Sequence, residues 1–179
     1  MTPIDIIADV SKQLLEKQKA LIEIAQRELD LYWDWFTAEN TRISALHKTG
    51  QATKESGPHV NPIAPVIEYR GNAGYSLKKP YIVWKNFSPK LRRNLKAASN
   101  KNVAGIAKGA SMPIHSYNST DVTGPIRSHC TWNAQRAIEL EMTLIPIRES
   151  LNGIHELIKK NGSTTRKLER LMKTKGESS

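Results

Sequence analysis

The sequence predicts an α+β protein in which two long helices, one near each end of the chain, pack together, with a small antiparallel sheet encoded between them. Three observations carry this. Apolar residues recur at three- and four-residue steps through the first fifty positions and again from about residue 131, the period of helices that bury one face. Between these stretches, two segments rich in β-branched and aromatic residues flank a glycine-bearing turn. A connection punctuated by Gly50, Gly57, Pro58, Pro62 and Pro65 separates the first helix from the first strand.

The first helix is expected over residues 1–48. Thr2 can cap it, Pro3 suits the first helical position, and Asp5 favours the positive helix end. Ile7, Val10, Leu14, Leu21, Ile24, Leu31 and Trp35 form its stripe, and nothing from Asp5 to Leu46 forces a break. Lys17 and Glu28 interrupt the seam, so a strict coiled coil is only partly supported. So long a helix must cover its stripe with the C-terminal helix or with a second copy of the chain. Leu14, Leu21 and Trp35 are the residues expected at a partner or dimer contact. Tyr32, Trp33, Trp35 and Phe36 put four aromatics into five positions. They cover every side of the helix, and packing on the sheet of the same molecule is favoured over an intermolecular contact.

Residues 49–65 read as a linker and 66–130 as a basic, β-rich module. Val66–Arg70 and Tyr81–Phe87 are its strands, with Gly71–Gly74 as the turn. In the second strand, period two puts Tyr81, Val83, Lys85 and Phe87 on one face and Ile82, Trp84 and Asn86 on the other. Trp84 and Phe87 are expected to build the sheet core. Ser88 and Pro89 open a short helix over 89–98, and short strands are expected at 103–107 and 114–117. The second long helix is expected over 131–161. Its stripe is Ala137, Leu140, Leu144, Ile147, Leu151, Ile154 and Ile158, kinked at Pro146 and closed by Asn161 and Gly162. Residues 162–179 remain as a basic tail, and the whole is expected to be a single domain.

Charge is unevenly distributed along the chain. Of the net +10, residues 1–50 contribute −2, residues 51–130 contribute +9 and residues 131–179 contribute +3. Between Glu68 and Asp121 there is no carboxylate side chain, yet ten Lys and Arg residues. A one-signed block repels itself and lowers the stability of the compact state, so it implies an anionic partner. Nucleic acid is the expected one, and double-stranded DNA in particular. Lys78, Lys79, Lys85, Lys90, Arg92, Arg93, Lys96, Lys101 and Lys108, with Tyr81 between them, are the candidate contacts. Lys90, Arg92 and Arg93 stand in the opening turns of the predicted short helix, where the dipole disfavours cations unless a phosphate binds there. Five or six phosphate contacts would give a log–log salt slope of roughly −5.

Little in the sequence speaks for catalysis. His129 and Cys130 have no further ligands at metal-binding spacing, so no metal or cofactor is expected. Cys130 reads as a small buried filler or a loop thiol, and His155 with Glu156 as a solvated or snorkelling helix face. Lys108 and Gly109 lack the rest of a phosphate-binding loop. With no run of eighteen apolar residues, no signal-peptide pattern, no lipidation motif and one cysteine, the expectation is a cytoplasmic protein that is no enzyme and makes no membrane contact.

A long N-terminal helix with a Trp-containing end, the strand Tyr81–Phe87, Lys108 and Gly109 followed by Met112, Pro113 and Tyr117, and a Trp132-led helix with Ile147, Arg148 and Glu149 together resemble the MobI family. These are accessory mobilisation proteins of conjugative plasmids and integrative conjugative elements. The resemblance covers roughly residues 30–160, and the stretch from Pro89 to Lys101 departs from the family pattern. It implies a non-enzymatic protein that binds near an origin of transfer, helps a relaxase engage it, and has DNA and the relaxase as partners. The expected function is thus a DNA-binding accessory factor, as a homodimer. The alternatives are a protein-interaction adaptor built on the helices and an RNA-binding protein.

Overall fold

The computed structural model describes residues 1–53, 58–70, 78–87, 110–111, 126 and 130–176. The order of elements is α1 (Pro3–Lys48), β1 (Ile63–Arg70), β2 (Lys79–Asn86), β3 (Ala110–Ser111) and α2 (Ala134–Gly176). The fold is α+β, with two long helices and a small antiparallel sheet between them in sequence. Among the described residues, no helix is long and apolar enough to cross a membrane.

At the start of α1, the Asp5 carboxylate accepts from the Thr2 amide at 2.7 Å while the Thr2 hydroxyl accepts from the Asp5 amide at 3.2 Å. This reciprocal arrangement satisfies two backbone donors at the helix end, and its hydrogen bonds hold the Asp5 carboxyl below the usual carboxylate range. The helix then runs for 46 residues. Its buried line is Gln18, Ala25, Leu29, Tyr32, Phe36 and Ile43. Val10, Ile24 and Leu31, expected in the stripe, are 43%, 40% and 59% exposed. The reason lies in Gln18 and Ala25, neither strongly apolar: the hydropathy pattern follows the neighbouring line of larger aliphatics and passes over the one that is buried.

The second helix differs more from expectation. It begins at Ala134 and runs for 43 residues, through Pro146, Gly153 and Gly162, to Gly176. The helix therefore takes in most of the expected basic tail. Asn161 and Gly162 do not close it, because the inward pattern continues past them: Ile158, Asn161, Thr165 and Leu168 are all half-buried. Gly162 needs no left-handed backbone here, and its cost relative to alanine, about 1 kcal/mol, is small beside the burial that continues on both sides.

The chain divides into two compact units, Met1–Ala25 with Pro146–Ser179, and Gln26–Ile145. In the first, α1 and α2 meet through a seam that mixes half-buried Leu14, Leu21, Ile154 and Ile158 with polar residues. The Asn161 amide donates to the Ser11 hydroxyl at 3.1 Å, and Gln18 is buried. Polar groups in such a seam fix register at a cost in stability.

In the second unit the sheet has the order β1-β2-β3, and the β1–β2 register runs from Ile63↔Asn86 to Arg70↔Lys79. Ala110 and Ser111 pair with Asn86 and Lys85, between the positions where two short strands were expected. Those strands, the helix at 89–98 and the turn at 71–74 lie outside the described residues. Alternation sends Pro65, Ile67, Ile82 and Trp84 towards the helices. Trp84 is fully buried, sets its ring edge on Tyr32 with centroids 5.8 Å apart, and donates its indole N–H to the buried Glu141 carboxylate of α2 at 2.8 Å. Trp33 donates to the Pro65 carbonyl at 2.8 Å. The aromatic cluster therefore packs on the sheet of its own chain.

Asparagines lock the linker in place. Asn40 and the backbone of Asn61 exchange two hydrogen bonds of 2.9 and 3.0 Å. The Asn61 amide donates to Asn133 at 2.7 Å, and Asn133 donates to the Tyr32 hydroxyl at 3.0 Å. Burial raises the Tyr32 pKa well beyond the ordinary tyrosine value, against the opposing effect of the Asn133 bond. A fully satisfied buried network of this kind specifies one arrangement of its elements.

Candidate nucleic-acid interface

The hairpin face opposite Trp84 carries Ala64, Val66, Glu68 and Arg70 on β1 and Lys79, Tyr81, Val83 and Lys85 on β2; Ala64, Val83 and Lys85 are buried, so the face is accessible only towards Arg70 and Lys79. At the end where β1 leads into β2, Arg70 stands directly opposite Lys79. The Arg70 guanidinium lies 5.2 Å and the Lys79 ammonium 5.1 Å from the centre of the Tyr81 ring. Each contact is a cation–π attraction. Like charges directly opposite in an antiparallel pair are otherwise unfavourable. Lys78, next in line, is exposed and makes no ion pair among the described residues.

Glu68 organises the inner part of this face. One carboxylate oxygen takes the Arg70 guanidinium at 2.7 Å and the other takes the Lys85 ammonium. Burial pushes the Glu68 carboxyl up, but the ionic hydrogen bonds from Lys85 and Arg70 outweigh it and hold the group below the usual range. Glu68 thus engages Arg70 and Lys85, while Lys78 and Lys79 add two further cations beside Arg70. Between them lies a cleft of about 590 Å³ bordered by Val66, Glu68, Arg70, Lys78, Lys85 and Phe87.

The structure places the expected contacts unequally. Lys78, Lys79 and Tyr81 come together with Arg70, which the sequence reading counted as part of the basic block without giving it a role. Lys85 is only 4% exposed and spends its charge on Glu68, so it is a structural cation and not an open phosphate contact. Lys90, Arg92, Arg93, Lys96, Lys101 and Lys108 lie outside the described residues. Of the expected interface residues, Leu14 and Leu21 are half-buried in the two-helix unit. Trp35 packs on Trp132 at 5.4 Å and lies under the Arg136 guanidinium at 4.6 Å, all within one chain. Glu68 was legible only as the edge of the acid-free interval. Its role depends on the hairpin register, which the strand pattern alone does not fix.

Cys130 is buried, and burial pushes its thiol up to about 11. That is the reverse of the shift that activates a nucleophilic thiol. His129 lies outside the described residues, and on α2 His155 is half-buried while Glu156 is exposed. Among the described residues no group of three His, Cys, Asp or Glu side chains could hold a metal ion.

The site is thus a cationic, tyrosine-bearing hairpin face on a helical scaffold. Compared with protein-family models, curated proteins and solved structures, the chain matches none of them.

Proposed function

We propose that this protein is a non-enzymatic DNA-binding accessory factor that holds a duplex backbone at the Arg70–Lys79 end of the β1–β2 hairpin. The observation that supports this best is the Arg70↔Lys79 pair sharing the Tyr81 ring, with exposed Lys78 beside it. An array of like charges at one hairpin end is costly in the free protein and becomes favourable when phosphates lie across it. Both cations contact the Tyr81 ring, at 5.2 and 5.1 Å, which restricts where their charges stand. Lys90, Arg92, Arg93, Lys96, Lys101 and Lys108, outside the described residues, add six further candidate cations in the same stretch of sequence.

Action at an origin of transfer, with a relaxase as partner and the chain as a homodimer in the cytoplasm, rests on the family resemblance and is part of the same proposal. The decisive test of the binding claim is a gel-shift series with random duplex, origin-containing duplex and double-stranded RNA across rising salt. Binding that weakens steeply with salt and favours DNA over RNA supports the proposal. Binding indifferent to salt, or to RNA alone, contradicts it.

A further inference from the structure

Within the unit formed by Met1–Ala25 and Pro146–Ser179, α1 and α2 run antiparallel, with Ser11 bonded to Asn161 across the seam. The seam follows alternating three- and four-residue steps, yet Ile7, Leu14 and Leu21 of α1 and Ile154, Ile158 and Leu168 of α2 are only half-buried. A pair of helices alone cannot seal the flanks of such a seam. One flank is apolar on both helices. Val10 and Ile24 of α1 are 43% and 40% exposed, and Leu157 and Leu171 of α2 are 51% and 55% exposed. Each pair is separated by two seven-residue repeats, so each marks one line along its helix. Val10 directly precedes Ser11 and Leu157 directly precedes Ile158, equivalent seam positions, which brings the two lines to the same side of an antiparallel pair. On the opposite flank α2 carries Arg148, His155 and Glu169. Along the outer edges of the apolar flank stand exposed Asp9 and Glu16 on α1 and exposed Lys160 and Lys167 on α2.

We infer that this flank docks on the same flank of a second copy of the chain, closing a four-helix bundle. The inference rests on the homodimer within the proposed function and gives that dimer its interface. Charge selects the occupant. With a two-fold axis along the bundle, α1 of each copy lies antiparallel to α2 of the other, so the acidic edge meets the partner's basic edge twice. Size agrees. The helices overlap from Ile4 to Ala25, about 33 Å, and two helices side by side are about 20 Å wide, so each copy would cover on the order of 700 Å², as a stable interface requires. Burying the four exposed aliphatics supplies the apolar centre, and the Lys17 stem can lie along it with its ammonium in water.

The test is analytical ultracentrifugation of the full chain without nucleic acid, at micromolar concentrations, where the wild type should sediment at twice the monomer mass. Val10→Glu/Leu157→Glu changes two exposed positions and should weaken dimerisation at least about tenfold while circular dichroism shows the same helix content. Asp9→Lys/Glu16→Lys and Lys160→Glu/Lys167→Glu each put like charges on both edges, so each should be monomeric alone. An equimolar mixture of these two should dimerise again, a result that misfolded chains could not give. A dimer that persists in Val10→Glu/Leu157→Glu, or a mixture that stays monomeric, overturns the inference and leaves the proposed function standing. A monomeric wild type overturns both the inference and the homodimer. None of these outcomes bears on duplex binding, which the salt series decides by itself.

Discussion

A buried Lys85 and a half-buried Glu68 form an ion pair across the hairpin, with Arg70 on the carboxylate's other oxygen. The lysine is sealed in and the carboxylate has two partners, so the pair should respond asymmetrically to substitution. Glu68→Gln strands the Lys85 ammonium inside the protein and should cost on the order of 3 kcal/mol. Lys85→Met leaves Glu68 with Arg70 and should cost less than half of that. Chemical denaturation of both variants checks the order, and equal costs would contradict the described pairing.

The same carboxylate gives a pH dependence of defined sign. Its folded-state pKa is depressed from an ordinary value near 4.5. Its contribution is therefore fully present above that value and is lost as acid carries the pH down through the folded pKa. Urea midpoints of the wild type should drop faster between about pH 5 and pH 3 than those of Glu68→Gln.

Trp84 and Glu141 are both fully buried and joined by one hydrogen bond. Glu141→Leu removes the acceptor from a buried indole N–H and should destabilise by about 1–3 kcal/mol. Glu141→Gln keeps a carbonyl oxygen there and should cost less. A thermal melt of the two variants separates these outcomes.

Gly162 tests the course of α2. Added side-chain atoms at Gly162 or Gly153 would meet nothing within 4 Å. Within a continuous helix, Gly162→Ala should stabilise by about 0.5–1 kcal/mol. Had the helix ended there on a left-handed glycine, the same change would destabilise. The sign of the shift in the denaturation midpoint decides.

Cys130 should be unreactive in the folded state. With its thiol raised to about 11, little thiolate exists near pH 8. A disulfide-exchange reagent should label it far more slowly in buffer than in denaturant, and equal rates would refute its burial.

What was legible in the sequence follows from how local each signal is. The capping pair Thr2 and Asp5, the stripe from Ala137 to Ile158, and the alternation that separates Tyr81 and Lys85 from Ile82 and Trp84 are short-range patterns, and all were readable. The end of α2 was not, because Asn161 and Gly162 look like a stop unless Ser11, distant in sequence, is known to receive Asn161. The buried line of α1 was hidden for a related reason: Gln18 and Ala25 are inside by virtue of what faces them. In the candidate site, Lys78, Lys79 and Tyr81 could be picked out by charge and aromatic content. The partition into a buried Lys85 and an exposed Arg70, both paired with Glu68, required the Glu68↔Tyr81 register. Trp33 of α1 meets Phe87 beyond β2, a contact no sequence pattern spells out.

The central claim is that Arg70, Lys78 and Lys79 meet phosphates. Duplex affinity should be measured from about 50 to about 200 mM salt for the wild type and for Arg70→Gln/Lys78→Gln/Lys79→Gln. Each lost phosphate contact removes about 0.9 from the log–log slope, so a wild-type slope of roughly −5 should become roughly −2. Identical slopes for the two proteins would contradict the account.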